Sequence, residues 1–190
     1  MFHRLKLTVA AVALLAPGAA LAQTATGEIG LSSTVIKSCG LGAPAQTVLN
    51  LLDLSGADGR LDQSKRSTST LASTVIADAW CNAPHSLTLD ARPMSLQQTR
   101  SYAQPAYMAR EITYDAKLVG WPATLTRRPK TGDDGVSIEF PGAFAPSSPG
   151  LVLNVSHLET LTAAKAEDPA LMLEAGTYKG TVTITLATVN

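Results

Sequence analysis

Short runs of alternating apolar and polar residues recur along the chain, and turn-forming residues separate them. In Thr26–Cys39 the apolar Ile29, Leu31 and Val35 occupy odd positions, with glycine or small polar residues between them. A period of two is typical of an extended strand with one apolar face. The sequence therefore predicts a strand near the N-terminus that ends at the first cysteine.

The same alternation predicts further strands along the chain. In residues 71–81 the apolar side chains of Leu71, Val75 and Cys81 share one parity, and the turn at 82–84 predicts a hairpin with the next strand. Residues 178–189 form the strongest strand signal because β-branched residues dominate its centre. The predicted strands cover residues 47–52, 71–81, 85–91, 110–118, 136–140, 151–155 and 178–189.

Little of the chain favours a helix. Ser156 and Glu159 have the spacing of a capping box, which predicts one helix over residues 156–168, bounded by Pro169. Residues 55–70 are polar and glycine-containing, and they predict a long surface loop. Seven or more short strands with one helix indicate an all-β, antiparallel, immunoglobulin-like β-sandwich with Greek-key connections.

The first 22 residues have the order of a secretory signal peptide. A basic start with Arg4 and Lys6 precedes an apolar run at 7–15, and small residues follow at Ala20 and Ala22. The apolar run is too short to span a bilayer, and no second run approaches that length. We therefore expect export to the periplasm, and then location at the cell surface or secretion, with no membrane span.

Composition and charge narrow the choice of function. The whole chain has a formal net charge of zero, and removal of Arg4 and Lys6 leaves residues 23–190 at about −2. This balance gives no electrostatic reason to expect a nucleic-acid partner. The two cysteines of an exported chain predict one disulfide, Cys39–Cys81, in preference to a metal site or a reactive thiol.

No spacing typical of catalysis is present. Ser, His and Asp residues occur without a nucleophile elbow, and no cluster has metal-ligand spacing, so we expect no enzymatic activity, no metal and no cofactor. Trp121 and the basic residues Arg127 and Arg128 are the side chains that we would assign to ligand contact. A basic cluster of this kind is more often a solvated loop than an anion site.

Several short motifs in this order resemble the spore coat protein U domain, the subunit family of archaic chaperone–usher pili. The motifs are spread over most of residues 26–186. The N-terminal ones are Thr26–Ile29, which leads to Cys39, and Cys81-Asn82, which comes before Leu87-Thr88-Leu89. The later ones are Ile112–Asp115 with Trp121, Phe140–Pro146, and Gly176-Thr177-Tyr178 before the last strand. Each motif alone is weak. Their order, together with the cysteines and the signal peptide, carries the resemblance.

The resemblance implies an incomplete sandwich that a strand from another chain completes. Residues 23–38 would then be a donor segment carrying Ile29, Leu31 and Val35, and residues 39–190 would be the pilin-like domain. The last strand would be an edge strand, with the apolar residues Tyr178, Val182, Ile184 and Leu186. The implied partners are neighbouring pilin subunits, a periplasmic chaperone and an outer-membrane usher, in a fibre that serves surface attachment or biofilm formation.

Two other interpretations remain open. The N-terminal segment would be an ordinary first strand if the chain were a self-sufficient secreted sandwich. The chain would bind a surface or a glycan if it were a tip adhesin, although a two-domain adhesin needs a second sandwich.

Overall fold

A computed structural model of the chain describes residues 32–131, 135–146 and 150–189. Contacts divide the chain into two units, residues 1–35 and residues 36–190, and every described strand belongs to the second unit. The predicted signal peptide, Ile29 and Leu31 lie outside the described residues.

Strands dominate the second unit. They are β1 Cys39–Gly40, β2 Thr70–Ile76, β3 Trp80–Cys81, β4 His85–Leu96, β5 Met108–Ala109, β6 Glu111–Val119, β7 Leu125–Arg127, β8 Val136–Phe140, β9 Leu151–Leu161, β10 Met172–Leu173 and β11 Tyr178–Thr188. One short 3-10 helix, Gln63–Arg66, lies in the predicted surface loop.

The main sheet has seven strands and is antiparallel throughout. Its order is β11-β4-β6-β9-β2, with β8 beside β4 and β7 beside β6. Strand β4 pairs with β8 over residues 85–89 and then with β6 at Met94 and Ser95. The strand group that contains β8 and the group that contains β6 therefore meet along β4. Both groups contribute side chains to one hydrophobic core. The predicted all-β, antiparallel, sandwich-like class is therefore confirmed; of the strand pairs in the described residues, only the short β5–β10 pair is parallel.

The core-facing positions of β4 and β6 follow the sequence pattern. Leu87 and Leu89 are fully buried in β4, and Ile112, Ala116 and Leu118 are fully buried in β6. Alternation of inward apolar and outward polar residues is what a sheet with one buried face requires. The predicted faces of these two strands are confirmed.

The predicted helix over residues 156–168 is wrong, because β9 continues as a strand to Leu161. His157 has a φ of +47°, and the pairing of β9 with β6 shifts register at this point. This bulge breaks the alternation, so buried Val155, Leu158 and Leu161 recur at a spacing that resembles a helix. Glu159 does not cap Ser156; its carboxylate accepts a hydrogen bond from Arg66 at 2.8 Å.

The predicted strand over residues 71–81 is divided; the predicted inward face is reversed within β2, whereas Cys81 in β3 is buried as predicted. Strand β2 buries Thr74 and Ile76 rather than Val75, because its pairing with β9 shifts register after Thr70. The predicted hairpin is also wrong, since β3 pairs with β1, and β4 pairs with β11, β8 and β6. Asp78, with a φ of +54°, separates β2 from β3.

Candidate functional site

An apolar groove of about 640 Å³ lies beside β11. One wall is the inward face of β11, the opposite wall includes Thr74 and Ile76 of β2, and residues 41–51 run along it. Within the described chain, β11 pairs with β4 on one side and with no strand on the other. The groove therefore adjoins a row of backbone N–H and C=O groups that are available for pairing.

The inward side chains of β11 are only half-buried. Val182, Ile184 and Leu186 pack against the core, yet none of them is fully covered. Two of their partners across the strand pair, Leu89 and Leu87, have no exposed surface at all. The apolar face of the last strand is thus incompletely covered by this chain.

The floor of the groove is closed by Tyr114 and Met94. The hydroxyl of Tyr114 donates to the carbonyl of Arg92 at 2.8 Å, and burial raises the pKa of this phenol. Gly180 lies against the same residues, because a Cβ at this position would be 2.9 Å from Cγ of Met94 and 3.0 Å from the Arg92 carbonyl. A side chain at position 180 would displace Met94 or the backbone of β4.

Residues 41–52 form a loop along the groove, so the predicted strand over 47–52 is wrong. The N–H of Ala45 donates to the carbonyl of Val75 at 2.7 Å, and the N–H of Gln46 donates to Oγ1 of Thr74 at 2.9 Å. Beyond this point the loop leaves β2, and Val48 and Leu52 are 80% and 77% exposed. Leu52 has a φ of +61°, which is incompatible with a regular strand.

The predicted disulfide between Cys39 and Cys81 is confirmed, and it joins β1 to β3 at directly opposed positions. The side chain of Asn82 holds the residues that precede Cys39. Its Oδ1 accepts a hydrogen bond from the N–H of Ser38 at 2.7 Å, and its Nδ2 donates to the carbonyl of Ile36 at 2.9 Å. Chain from Ile36 onward is therefore fixed to the domain. Val35, the described member of the predicted donor triad, is 81% exposed and has no regular secondary structure.

Trp121 lies in the core, so the structure does not place it where a surface ligand would meet it. Its side chain packs edge-on against His85 and Phe144, and the residue is 6% exposed. The indole Nε1 donates to Nε2 of His85 at 3.0 Å, while Nδ1 of His85 is 2.9 Å from the carbonyl of Ala83. Both ring nitrogens of the buried histidine are therefore engaged.

Arg128 is held in an ion-pair network rather than directed toward a ligand. It donates to Asp115 at 2.8 Å and to Glu167 at 2.9 Å, and Lys130 also binds Glu167 at 2.9 Å. The hydrogen bond from Arg128, with the further contribution of Lys130, lowers the pKa of Glu167 to about 2. Arg127 is half-buried in β7, and its Nε is buried with no hydrogen-bond partner among the residues that the structure describes.

Among the described residues, Glu174 is the most deeply buried carboxylate, and two arginines and one tyrosine donate hydrogen bonds to it. Arg110 donates to it at 2.6 Å, Tyr102 at 2.7 Å and Arg100 at 2.5 Å. The bond from Arg110, followed by those from Tyr102 and Arg100, lowers the pKa of Glu174 to about 2 against the opposing effect of burial. The bonds from Arg100 and Tyr102 fix the loop at 97–107 to the residue that follows β10.

Among residues 32–131, 135–146 and 150–189, no group of three or more His, Cys, Asp or Glu side chains has the geometry of a metal site. In the same residues, no helix has the length and apolar character needed to cross a bilayer.

Comparison with models of known protein families, with characterised proteins and with solved structures finds no match. Function must therefore be inferred from the groove. Of its lining residues, the sequence pattern identified Tyr178, Val182 and Ile184, but it missed the loop at 41–51 and Gly180. For the loop, the signal available in the sequence was that apolar residues such as Leu49 and Leu51 occur in a turn-rich segment.

Proposed function

We propose that this chain is a structural subunit of an extracellular pilus, and that its subunits polymerise by donor-strand exchange. The observation that carries the proposal is the apolar groove beside β11, whose outer edge has no partner strand within the described residues. An unpaired edge next to uncovered apolar side chains favours the addition of an extended segment. The sequence resemblance to the spore coat protein U domain supports the same conclusion independently.

The added strand would make two kinds of contact. Its backbone would form ladder hydrogen bonds with the free edge of β11, and alternate side chains would cover Val182, Ile184 and Leu186. Half-buried side chains gain stabilisation when they are removed from water, at about 25 cal/mol per Å² of apolar surface. The acceptor core and the donor strand would therefore stabilise each other.

The donor that we propose is residues 23–38 of the next subunit. Ile29, Leu31 and Val35 would be the residues that enter the groove, because they share one parity in an extended chain. The hydrogen bonds of Asn82 to Ile36 and Ser38, just before the disulfide at Cys39, would mark where the exchangeable segment joins the fixed domain. Before assembly, a periplasmic chaperone would cover the groove, and an outer-membrane usher would be the place of exchange. The proposal assigns the chain no catalytic activity.

The decisive experiment compares the exported chain with and without residues 23–36. We expect the full chain to form oligomers and the truncated chain to remain monomeric. A peptide of residues 23–36, added to the truncated chain, should bind and raise its melting temperature. The same peptide carrying Leu31→Asp is the matched control, and it should have little effect because a carboxylate would enter an apolar groove.

Failure of the proposal would be equally clear. If the truncated chain is a stable monomer whose melting temperature the peptide does not change, and the full chain never assembles, the chain is a self-sufficient secreted sandwich. A binding function, such as that of an adhesin, would then be the better hypothesis.

A further inference from the structure

Two exposed apolar side chains, Ile36 and Trp80, lie beside the disulfide. Trp80 is paired with Gly40 in the β1–β3 ladder, and its indole covers Gly40 so closely that a Cβ there would overlap the ring. Ile36 is held at the same place, because its carbonyl accepts a hydrogen bond from Nδ2 of Asn82 at 2.9 Å. We call Ile36 and Trp80 the disulfide-end patch.

Three other exposed side chains, Tyr102, Tyr107 and Met172, form what we call the tyrosine-end patch. The N–H of Met172 donates to the carbonyl of Tyr107 at 3.0 Å. The ring of Tyr102 has the guanidinium of Arg110 at 4.9 Å from its centroid, and its hydroxyl donates to Glu174 at 2.7 Å. Tyr102 is therefore exposed and yet fixed, so a contact with it costs little side-chain entropy.

The two patches lie at opposite ends of β11. The strand begins beside the loop at 97–107, because the carbonyl of Thr177 accepts a hydrogen bond from the N–H of Gln97 at 2.9 Å. Just past its other end, the carbonyl of Val189 accepts a hydrogen bond from Nζ of Lys37 at 3.5 Å, so that end lies near the disulfide. Eleven residues of strand separate the ends by about 33 Å.

Donor-strand exchange would bring opposite ends of two subunits together. The N-terminal segment of each subunit leaves its domain at Ile36, at the disulfide end. An incoming domain at that same end would compete with this segment for space, so the incoming domain has to lie at the tyrosine end of the acceptor.

The junction between donor segment and domain leaves no room for a linker. Val35, the last of the three donor residues, is followed directly by Ile36, which is already fixed to its own domain. Consecutive Cα atoms are about 3.8 Å apart. With Val35 in the groove of one subunit, the domain of the next subunit therefore has to touch the first.

We propose that the tyrosine-end patch of one subunit packs against the disulfide-end patch of the next, which is a second copy of this chain. The inference rests on the proposed donor-strand exchange and adds to it a direct contact between consecutive domains. Tryptophan, tyrosine and methionine are enriched at the centres of protein interfaces, and here they are exposed at the two surfaces that have to meet. The contact would cover these side chains and fix the angle between consecutive domains.

The test uses a dimer that cannot grow. A full exported chain with Leu31→Asp can only accept a strand, because its donor segment carries a carboxylate. A full exported chain with Ile184→Asp can only donate, because its groove carries one. In the dimer that the two chains form, one tyrosine end meets one disulfide end. Displacement of a fluorescently labelled donor chain by an excess of unlabelled donor chain measures the dissociation rate.

Two substitutions are each placed on either side of this dimer. Tyr107→Ala in the acceptor and Trp80→Ala in the donor alter the patches that meet. The same substitutions with the chains exchanged, Tyr107→Ala in the donor and Trp80→Ala in the acceptor, alter patches that face solvent, and they are the matched controls. We expect each substitution at the contact to speed dissociation about tenfold, as for the loss of one interface aromatic, and each control to change it less than about twofold.

A donor peptide separates this proposal from the one on which it rests. A peptide of residues 23–36 brings no domain, so it should bind the Leu31→Asp chain with and without Tyr107→Ala equally well. Equal dissociation of the contact and control dimers would overturn the contact between the patches and leave donor-strand exchange standing; the patches would then serve a partner other than this chain. If the parent chains form no dimer and the peptide does not bind, donor-strand exchange and the contact are both wrong.

Discussion

The indole Nε1 of Trp121 donates a hydrogen bond to Nε2 of His85 over 3.0 Å, and both side chains are buried. An indole nitrogen is only a donor, so Nε2 must be the acceptor and the proton lies on Nδ1, directed at the carbonyl of Ala83. Phe140 stacks on the same imidazole with ring centroids 5.2 Å apart. The pair therefore joins the loop after β6 to the start of β4 through a satisfied polar contact inside an apolar cluster.

Replacing Trp121 with Phe should destabilise the domain. The substitution leaves Nε2 of His85 buried without a donor, which costs about 1–3 kcal/mol in the free energy of unfolding. Urea denaturation followed by circular dichroism measures the change. Trp80→Phe is the matched control, because Trp80 is 41% exposed, and it should change the free energy by less than about 0.5 kcal/mol. Equal effects at both positions would contradict a specific role for the His85 contact.

The domain should lose stability in acid because of Glu174 and Glu167. Each has a pKa of about 2 in the folded protein and an ordinary value of 4.5. A lowered folded pKa means that the stabilisation is complete above about pH 4.5 and is lost as the pH falls toward 2. Melting temperatures measured between pH 7 and pH 2 should decrease over this window.

The variant Glu174→Gln assigns part of this dependence to one carboxylate. It should melt below the wild type at pH 7, and the difference should narrow as the pH falls from 4.5 toward 2, because the wild-type carboxylate then becomes protonated. Glu139→Gln, at an exposed position of β8, should follow the wild-type curve. A constant difference at every pH would mean that Glu174 acts through packing rather than through its charge.

The disulfide should contribute measurably to stability. Cys39 and Cys81 close a loop with a sequence separation of 42 residues, for which the chain-entropy model gives about 4 kcal/mol. The double variant Cys39→Ser/Cys81→Ser should lose up to this amount in urea denaturation. A reducing agent should bring the wild type to the same value and leave the double variant unchanged. Sensitivity of the double variant to the reducing agent would contradict this assignment.

Local alternation predicted the strands whose pairing is regular. The buried faces of β4 and β6 were predicted correctly. When every second residue of a strand is apolar and only one side of the sheet faces the core, those residues must all point to that side. The pattern failed where the ladder changes register, at Thr70 in β2 and at His157 in β9. A bulge inserts one residue and exchanges the two faces, and no local signal distinguishes this from a helix or from a shifted strand.

Only part of the candidate groove could be predicted from the sequence. Half-burial of Val182 and Ile184 depends on which strands surround β11, and that is a property of the whole sheet. The position of Gly180 against Met94 likewise depends on the pairing of β11 with β4. Ligand contact at Trp121 is a prediction that its position does not favour, because the cluster around His85 places the indole in the core.

A carboxylate in the groove should prevent the chain from accepting a donor strand. Ile184 faces the groove and Thr185 faces away from it, so Ile184→Asp and Thr185→Asp place the same charge on the two sides of β11. We expect the first variant to remain monomeric by light scattering, because burial of an unpaired carboxylate is unfavourable by several kcal/mol. The second variant should assemble like the wild type. Assembly of Ile184→Asp would contradict the groove as the acceptor site.

Mixing two defective variants tests the polarity of the exchange. Leu31→Asp should be unable to donate a strand but should keep an intact groove and should still bind a chaperone, whereas Ile184→Asp should be unable to accept a strand but should keep an intact donor segment. Each variant alone should therefore be monomeric. Together they should form a 1:1 dimer that grows no further, because the only free groove left carries an aspartate. Longer oligomers in the mixture, or no dimer at all, would mean that residues 23–38 and the groove are not the two halves of one contact.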